Sequence, residues 1–96
     1  MTGQEALTLV DTLLNSRNPR TQLNNLQSIV FLETWSGNSY RQIAQQLGYQ
    51  YDYIKQVGSR LWRSLSQAVG EEVSKQNIQA VLRRYQQSKK KEIPSL

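Results

Sequence analysis

Polar and basic side chains recur at helical spacing through the middle of this 96-residue chain, opposite an apolar stripe. The outward half of this stretch carries Gln56, Ser59, Arg60 and Arg63. Gln can pair bidentately with adenine and Arg with guanine, while Lys and Ser reach phosphate oxygens. These residue types at this spacing could therefore read the groove and hold the backbone of duplex DNA.

The candidate contact set extends to both ends of a two-helix unit. Ser39 and Arg41 stand at the start of the first helix, where free N–H groups and the helix dipole favour a phosphate. Tyrosines at the start of the second helix could touch thymine methyl groups or the sugar–phosphate edge. The predicted DNA-binding residues are Ser39, Arg41, Gln50, Tyr51, Tyr53, Lys55, Gln56, Ser59, Arg60 and Arg63.

Each part of this set also has a plainer interpretation. Lys55, Arg60 and Arg63 could form a solvated helix face, and Tyr51 and Tyr53 could pack partly into the core. The tyrosine-rich face could also recruit a protein, because Tyr and Arg are favoured at protein–protein hot spots. The sequence leaves DNA binding and a protein-interaction adaptor open, and it favours DNA binding.

The composition argues against catalysis and metal chemistry. The chain has no Cys and no His, which removes the thiol nucleophile and the commonest base and metal ligand. Its seven carboxylates form no spaced acid–base pair, and the adjacent Glu71 and Glu72 point in different directions on a helix. We therefore predict that the protein is not an enzyme and holds no cofactor or metal.

The net charge of +5 is concentrated in the second half of the chain. Residues 1–36 sum to −1, whereas residues 37–70 and 71–96 each sum to +3. Such an excess attracts phosphate backbones, although it also solubilises a domain. No apolar run reaches the length of a membrane span, and the N-terminus has no signal pattern, so we expect a cytoplasmic protein without membrane contact.

Apolar residues at steps of three and four predict an all-α bundle of five helices. We expect one helix-turn-helix domain over residues 1–88 and a flexible basic tail over residues 89–96. The predicted helices are residues 3–15, a second helix ending at Gly37, residues 40–47, residues 51–68 and a fifth helix that Ser74 can cap.

A helix-turn-helix needs a short helix packed steeply across a second one through a tight turn. The short helix fits residues 40–47, the turn fits residues 48–50, and the second helix fits residues 51–68. The seam between the helices would consist of Ile43, Leu47, Ile54 and Val57, with the small Ala44 at the crossing. Trp35 and Trp62 are expected in the core.

Glycines mark the ends of two helices. Gly48 and Gly70 are placed to end them with a positive φ, which Gly adopts at little cost. Gly58, inside the fourth helix, costs about 1 kcal/mol relative to Ala. We expect it to permit the close approach of another backbone. The apolar stripe over residues 6–14 is either additional core or a dimer face.

Residues 23–65 resemble, without gaps, the DNA-binding domain of LuxR-type response regulators and region 4 of sigma factors. A "G-x-S-x-x-x-I-A" element, an "L-G" turn and a counterpart of the "T-V-K" triplet carry this resemblance. The matching residues are Gly37, Ser39, Ile43, Ala44, Leu47, Gly48, Tyr53, Ile54 and Lys55.

Nearly the whole chain is similar to the N-terminal helix-turn-helix domain, sometimes called the vMAP N-terminal domain, of cyanobacterial multidomain proteins. Those proteins carry NB-ARC or AAA-type ATPase, WD-repeat or similar modules further along. The specific part is the run "SYxxIAxxLGYxxxYIKxxGSxLWxxLSxxxGExVxKxN". The resemblances imply double-stranded DNA as partner, a role in transcription regulation, a homodimer through the first or fifth helix, and further domains or a protein partner.

Two residues depart from the LuxR-type pattern. The recognition helix of that family usually starts with a Ser or Thr cap, whereas Gln50 occupies this position here. Asp52 follows in the first turn, where it favours the helix dipole but repels phosphate. These departures weaken the implied base contacts at the start of the helix and leave the implied fold unchanged.

Overall fold

The computed structural model describes residues 1–17 and 23–92, without the side chains of residues 16, 17 and 88–92. Within these ranges the chain is all-helical and contains no strand. The helices are α1 (Gly3–Arg17), α2 (Asn25–Trp35), α3 (Tyr40–Leu47), α4 (Tyr51–Val69) and α5 (Ile78–Glu92). The predicted five-helix architecture is confirmed, because each helix forms where the apolar period places it.

Capping boxes begin the first three helices. The amide of Glu5 donates to Thr2 Oγ1 at 3.1 Å, and the amide of Thr2 donates to Glu5 Oε1 at 2.7 Å. The amide of Thr2 lowers the pKa of the Glu5 carboxyl, because it stabilises the charged form. Equivalent boxes pair Ser39 with Gln42 and Asn24 with Gln27. Side chains therefore satisfy N–H groups that lack intrahelical partners.

Glycine ends α3 and α4 as predicted. Gly48 has a φ of 77° and Gly70 a φ of 78°, both in the left-handed region. The amide of Gly48 donates to the Ala44 carbonyl at 2.9 Å, which closes the last turn of α3. The tight turn to α4 therefore depends on a residue without a Cβ.

The predicted cap of α5 at Ser74 is misplaced by one turn. The helix begins at Ile78, and residues 74–77 form a separate turn before it. The Ser74 amide donates to Asn77 Oδ1 at 2.7 Å, and the Ser74 carbonyl accepts from the Ile78 amide at 3.1 Å. Asn77 thus shapes the entry to the helix with its short amide side chain, a use that Asn shares with Ser.

The apolar residues form two clusters. The larger one joins α1, α2, α4 and α5, and includes the buried α1 residues Ala6, Val10, Leu13 and Leu14. The stripe on α1 is therefore core of this chain. The smaller one contains Val30, Ile43, Ala44 and Ile54, with Leu26, Tyr40, Leu47 and Val57 packed around it. This second cluster is the predicted seam between α3 and α4, and Leu26 and Val30 of α2 complete it.

Both tryptophans pack into the interior, as expected. Trp62 is 6 % exposed, and Trp35 packs against the larger cluster and stacks on Phe31 with ring centroids 5.8 Å apart. Gln79 Nε2 donates to the Trp35 carbonyl at 3.0 Å, which ties the start of α5 to the end of α2. The C-terminal helix therefore belongs to the same bundle as the helix-turn-helix.

The predicted boundary between domain and tail falls inside α5, which runs to Glu92. The lysine side chains at 89–91 and residues 93–96 lie outside the described part, so the flexible tail stays a prediction. None of the described helices is both long enough and apolar enough to cross a membrane.

Candidate nucleic-acid interface

The crossing of α3 over α4 positions the candidate site. Ile43 and Ile54 are fully buried where the helices meet, and Ala44 is 4 % exposed. Burial of these apolar residues fixes which side of α4 faces inward, because side chains three and four apart share one face. The opposite side of α4 is left to solvent and carries most of the predicted contact residues.

An open depression follows this outer side, and we call it the helix-4 groove. Its lining residues are Lys55, Gln56, Ser59, Arg60 and Arg63, all predicted and all exposed. Gln and Ser offer hydrogen bonds between three cations, which is the mixture that base edges and phosphates require.

The three cations of the helix-4 groove carry uncompensated charge. Within the described part of the chain the ion pair found is Arg84 Nη2 to Glu71 Oε1 at 2.6 Å, on the surface between α5 and the end of α4. Lys55, Arg60 and Arg63 make no ion pair there, so they present three positive charges to solvent.

A second depression, the Tyr40 groove, opens at the start of α3. Its lining residues are Ser39, Tyr40, Arg41, Tyr51, Lys55, Lys75 and Gln76. Lys55 lines both grooves, so the two form one continuous basic surface. Lys75 belongs to the connection between α4 and α5 and lay outside the predicted contact set.

The tyrosines near the start of α4 lie on the surface. Tyr51 is 42 % and Tyr53 47 % exposed, so the alternative of partial core packing is wrong. The guanidinium carbon of Arg41 lies 5.8 Å from the centroid of the Tyr51 ring, a cation–π arrangement. Tyr49 is 48 % exposed, and its ring lies 5.3 Å from that of Tyr53. Sequence reasoning missed Tyr49, although its place after the turn glycine was a usable signal.

Tyr40 lines the Tyr40 groove and packs against Gly58 and Trp62 of α4. Trp62 Nε1 donates to the phenolic oxygen of Tyr40 at 2.8 Å, and the Tyr40 ring lies against Gly58. The expectation that another backbone approaches Gly58 is wrong, because an aromatic side chain occupies that space. Lys75 Nζ lies 5.3 Å from the centroid of the same ring. A side chain of α3 thus links α4 to the α4–α5 connection.

Ser39 and Gln50 differ in how free their side chains are. Ser39 Oγ accepts the Gln42 amide at 3.1 Å and is engaged in the cap of α3. Gln50 occupies the cap position of α4 with φ −76° and ψ 148°, and its side chain makes no capping bond. Its exposed amide is therefore free to reach a ligand, as the poor capping ability of Gln predicts.

The structure brings eight of the ten predicted residues together in the two grooves. Tyr53 lines neither groove but a third depression with the start of α2, and Gln56 and Arg60 of the helix-4 groove also line that depression. Gln50 lines none of the three depressions. Asp52 is exposed in the first turn of α4 and lines neither groove. The described residues contain no group of three or more side chains fit to hold a metal ion.

Comparison with known proteins gives one family match. The family is described as vWA-MoxR associated protein N-terminal HTH, and it matches residues 1–85. This range includes α1 to α4, the first half of α5 and every residue of both grooves. No curated protein and no solved structure matches the chain.

Proposed function

Because the chain belongs to the vWA-MoxR associated protein N-terminal HTH family, we propose that it is a sequence-specific DNA-binding domain. In this proposal α4 enters the major groove and α3 lies across the backbone. The domain serves as a transcriptional regulator or as the DNA-binding module of one.

The observation that carries the proposal is the uncompensated charge of the helix-4 groove. Three cations without carboxylate partners stand on the outward side of a helix whose inward side is fixed by Ile54 and Leu61. Arg60 and Arg63 have the planar donors that pair with guanine. Gln56, next to Lys55 in the sequence, has the amide that pairs with adenine. A polyanion is the ligand that this arrangement neutralises best.

Fluorescence anisotropy with labelled duplex DNA at several salt concentrations tests the proposal. Replacing Arg60 and Arg63 together by Gln removes two positive charges and keeps side chains of similar length. The affinity for the preferred duplex should then fall by about 1–3 kcal/mol for each Arg that pairs with guanine. The magnitude of the slope of log K against log salt should fall by about 0.9 for each Arg that neutralises a phosphate instead. Selection of bound sequences from a random duplex pool would identify the preferred site.

A matched control is available on α5. The double variant Arg83→Gln, Arg84→Gln removes the same charge from exposed positions that line neither groove. It also breaks the exposed ion pair of Arg84 with Glu71, which contributes about 0–1 kcal/mol to stability. Its slope of log K against log salt should equal that of the parent protein. If both double variants lost the same amount of DNA affinity, net charge alone would explain the effect. That result would contradict a specific role for α4.

The protein-interaction adaptor is a second candidate, because exposed aromatic area and an acidic residue meet at the start of α4. Tyr49, Tyr51 and Tyr53 are each more than 40 % exposed, and Asp52 among them repels phosphate. Tyrosine supplies large contact area at low entropic cost in protein interfaces. A parent protein that fails to bind duplex DNA even at low salt would support this candidate.

We propose a non-enzymatic role in transcription regulation in the cytoplasm, and assembly into a LuxR-like homodimer through α1 or α5. Light scattering coupled to size-exclusion chromatography measures that assembly. A monomer at the concentration of the binding assay would contradict the dimer.

A further inference from the structure

We infer that the Tyr40 groove binds a backbone phosphate of the DNA, and that Lys75 in the α4–α5 connection holds that phosphate. The inference rests on the proposed function and extends the interface beyond the helix-turn-helix.

Cations from three separate elements converge on the Tyr40 groove. Arg41 comes from α3, Lys55 from α4 and Lys75 from the connection that follows α4. No carboxylate is found among the described residues that line this groove. Like charges brought together without a counter-charge repel one another, and an anion between them removes that repulsion.

Lys75 is held in place before any ligand arrives. Its ammonium lies over the Tyr40 ring, and its side chain is only partly exposed. The hydrogen bond from Trp62 and the contact with Gly58 restrain that ring. A cation–π contact leaves the ammonium its charge and its three N–H donors. Part of the side-chain entropy that a free lysine gives up on binding is therefore already removed in the folded protein.

Arg41 is placed in the same manner on another wall of the groove. Its guanidinium lies over the Tyr51 ring. Both cations therefore rest on aromatic rings and keep donors for a shared oxygen anion.

The shared Lys55 favours a nucleic-acid phosphate over an isolated anion. Because Lys55 lines both grooves, a ligand that fills them must carry negative charge at more than one point along its length. A phosphodiester backbone has a charge on every nucleotide. With α4 in the major groove, the Tyr40 groove faces the backbone that borders it.

Anisotropy titrations of Lys75→Gln and Lys75→Arg test this inference on the full chain. Lys75→Gln removes one of the cations that share this phosphate, so the magnitude of the slope of log K against log salt should fall by up to about 0.9. The ratio of affinities at 50 and 200 mM salt should then fall by up to about 3.5-fold. Lys75→Arg keeps the charge and the ring contact and should retain the slope of the parent. Arg83→Gln, which removes one exposed charge outside both grooves, is the matched control and should also retain it.

A second measurement uses inorganic phosphate and does not depend on DNA binding. In a ¹H–¹⁵N NMR titration at constant ionic strength, phosphate should shift the amides of Tyr40, Arg41 and Lys75 in the parent. The same titration of Lys75→Gln should not show these shifts, and sodium chloride in place of phosphate should not produce them.

The outcomes separate this inference from the proposed function. Suppose that Lys75→Gln has the same slope of log K against log salt as the parent, while the double variant of Arg60 and Arg63 binds DNA more weakly. This result overturns the phosphate site and leaves DNA binding by α4 intact. If the parent binds no duplex at low salt, the proposed function fails and the phosphate titration decides alone. Saturable amide shifts that disappear in Lys75→Gln would then show that the Tyr40 groove binds an anion. The absence of such shifts in the parent would overturn the phosphate site.

Discussion

A Cβ atom at Gly58 would lie 2.6 Å from the phenolic oxygen of Tyr40 and 2.8 Å from Cε1 of its ring. Gly58 lies inside α4 and is not among the glycines with a positive φ, so its backbone does not require Gly. The need is one of space. The ring of Tyr40 lies where α3 crosses α4, and Gly58 lets the two helices keep that ring between them.

Gly58→Ala should therefore destabilise the domain. Ala gains about 1 kcal/mol of helix propensity over Gly, whereas overpacking a closed contact costs about 1–3 kcal/mol. The Tyr40 ring cannot move away cheaply, because Trp62 Nε1 holds its hydroxyl at 2.8 Å. We expect the free energy of unfolding, measured by urea denaturation, to fall by up to about 2 kcal/mol, which is the cost of overpacking less the gain in helix propensity.

The Tyr40→Leu background provides the control for this prediction. Without the aromatic ring the added methyl group has room, and only the difference in helix propensity remains. Gly58→Ala should then be neutral or stabilising relative to Tyr40→Leu alone. The same destabilisation in both backgrounds would show that something other than the ring excludes a side chain at Gly58.

Tyr40→Phe should cost about 1–3 kcal/mol, although it removes a single oxygen, because a buried donor is left without an acceptor. Trp62 is 6 % exposed, and its indole N–H is the donor that would be left unpaired. Trp62→Phe removes the donor as well, so in the Tyr40→Phe background it should cost less than in the parent. Urea denaturation of the parent, the two single variants and the double variant gives the coupling energy between Tyr40 and Trp62. Additive effects would mean that the hydrogen bond contributes nothing to stability.

The sequence predicts the helices well and this contact poorly, for a physical reason. Helix bounds follow from apolar period, capping residues and turn glycines, all of them local, and the bounds of α3 are those expected. Tyr40 and Trp62 are 22 residues apart, and their pairing depends on the angle at which two helices cross. The pattern indicated that something packs closely on Gly58 but not that it is a side chain.

The candidate site divides in the same way. Residues of α4 could be assigned to its outer side, because one helix period determines which residues share a face. Lys75 could not be placed, because it joins the site through the fold of the α4–α5 connection and the Tyr40 ring. Exposure of Tyr51 and Tyr53 was undecided, since an aromatic residue beside an apolar stripe fits either environment.

Gln50→Ser should stabilise the domain by about 1 kcal/mol, the usual contribution of a capping side chain. Gln50 has the extended backbone of a cap residue, but its side chain makes no capping bond. Ser in that conformation can accept an amide from the first turn of α4, as Ser39 already does for α3. Ser39→Ala is the converse variant and should cost about 0.5–2 kcal/mol. An unchanged urea midpoint for Gln50→Ser would mean that the first turn of α4 is already satisfied by solvent.

Asp52→Asn should change stability and DNA affinity in opposite directions. The carboxylate lies in the first turn of α4, where it stabilises the helix dipole by about 0.3–1 kcal/mol. If that end of α4 approaches DNA, the same charge repels phosphates. At about 8 Å in water such repulsion is about 0.5 kcal/mol, or about 2-fold in affinity. We therefore expect a lower urea midpoint together with tighter duplex binding at low salt.

The control for this last prediction is Asp11→Asn, which changes the net charge equally. Asp11 lies on α1 and lines a depression formed by α1, Leu23 and the start of α2, away from both grooves. A general charge effect would tighten DNA binding equally in both variants, and only Asp52→Asn should do so if α4 points its first turn at the backbone. Unchanged affinity in Asp52→Asn would mean that this end of α4 stays clear of the DNA. The exposed tyrosines around it would then be free for a protein partner.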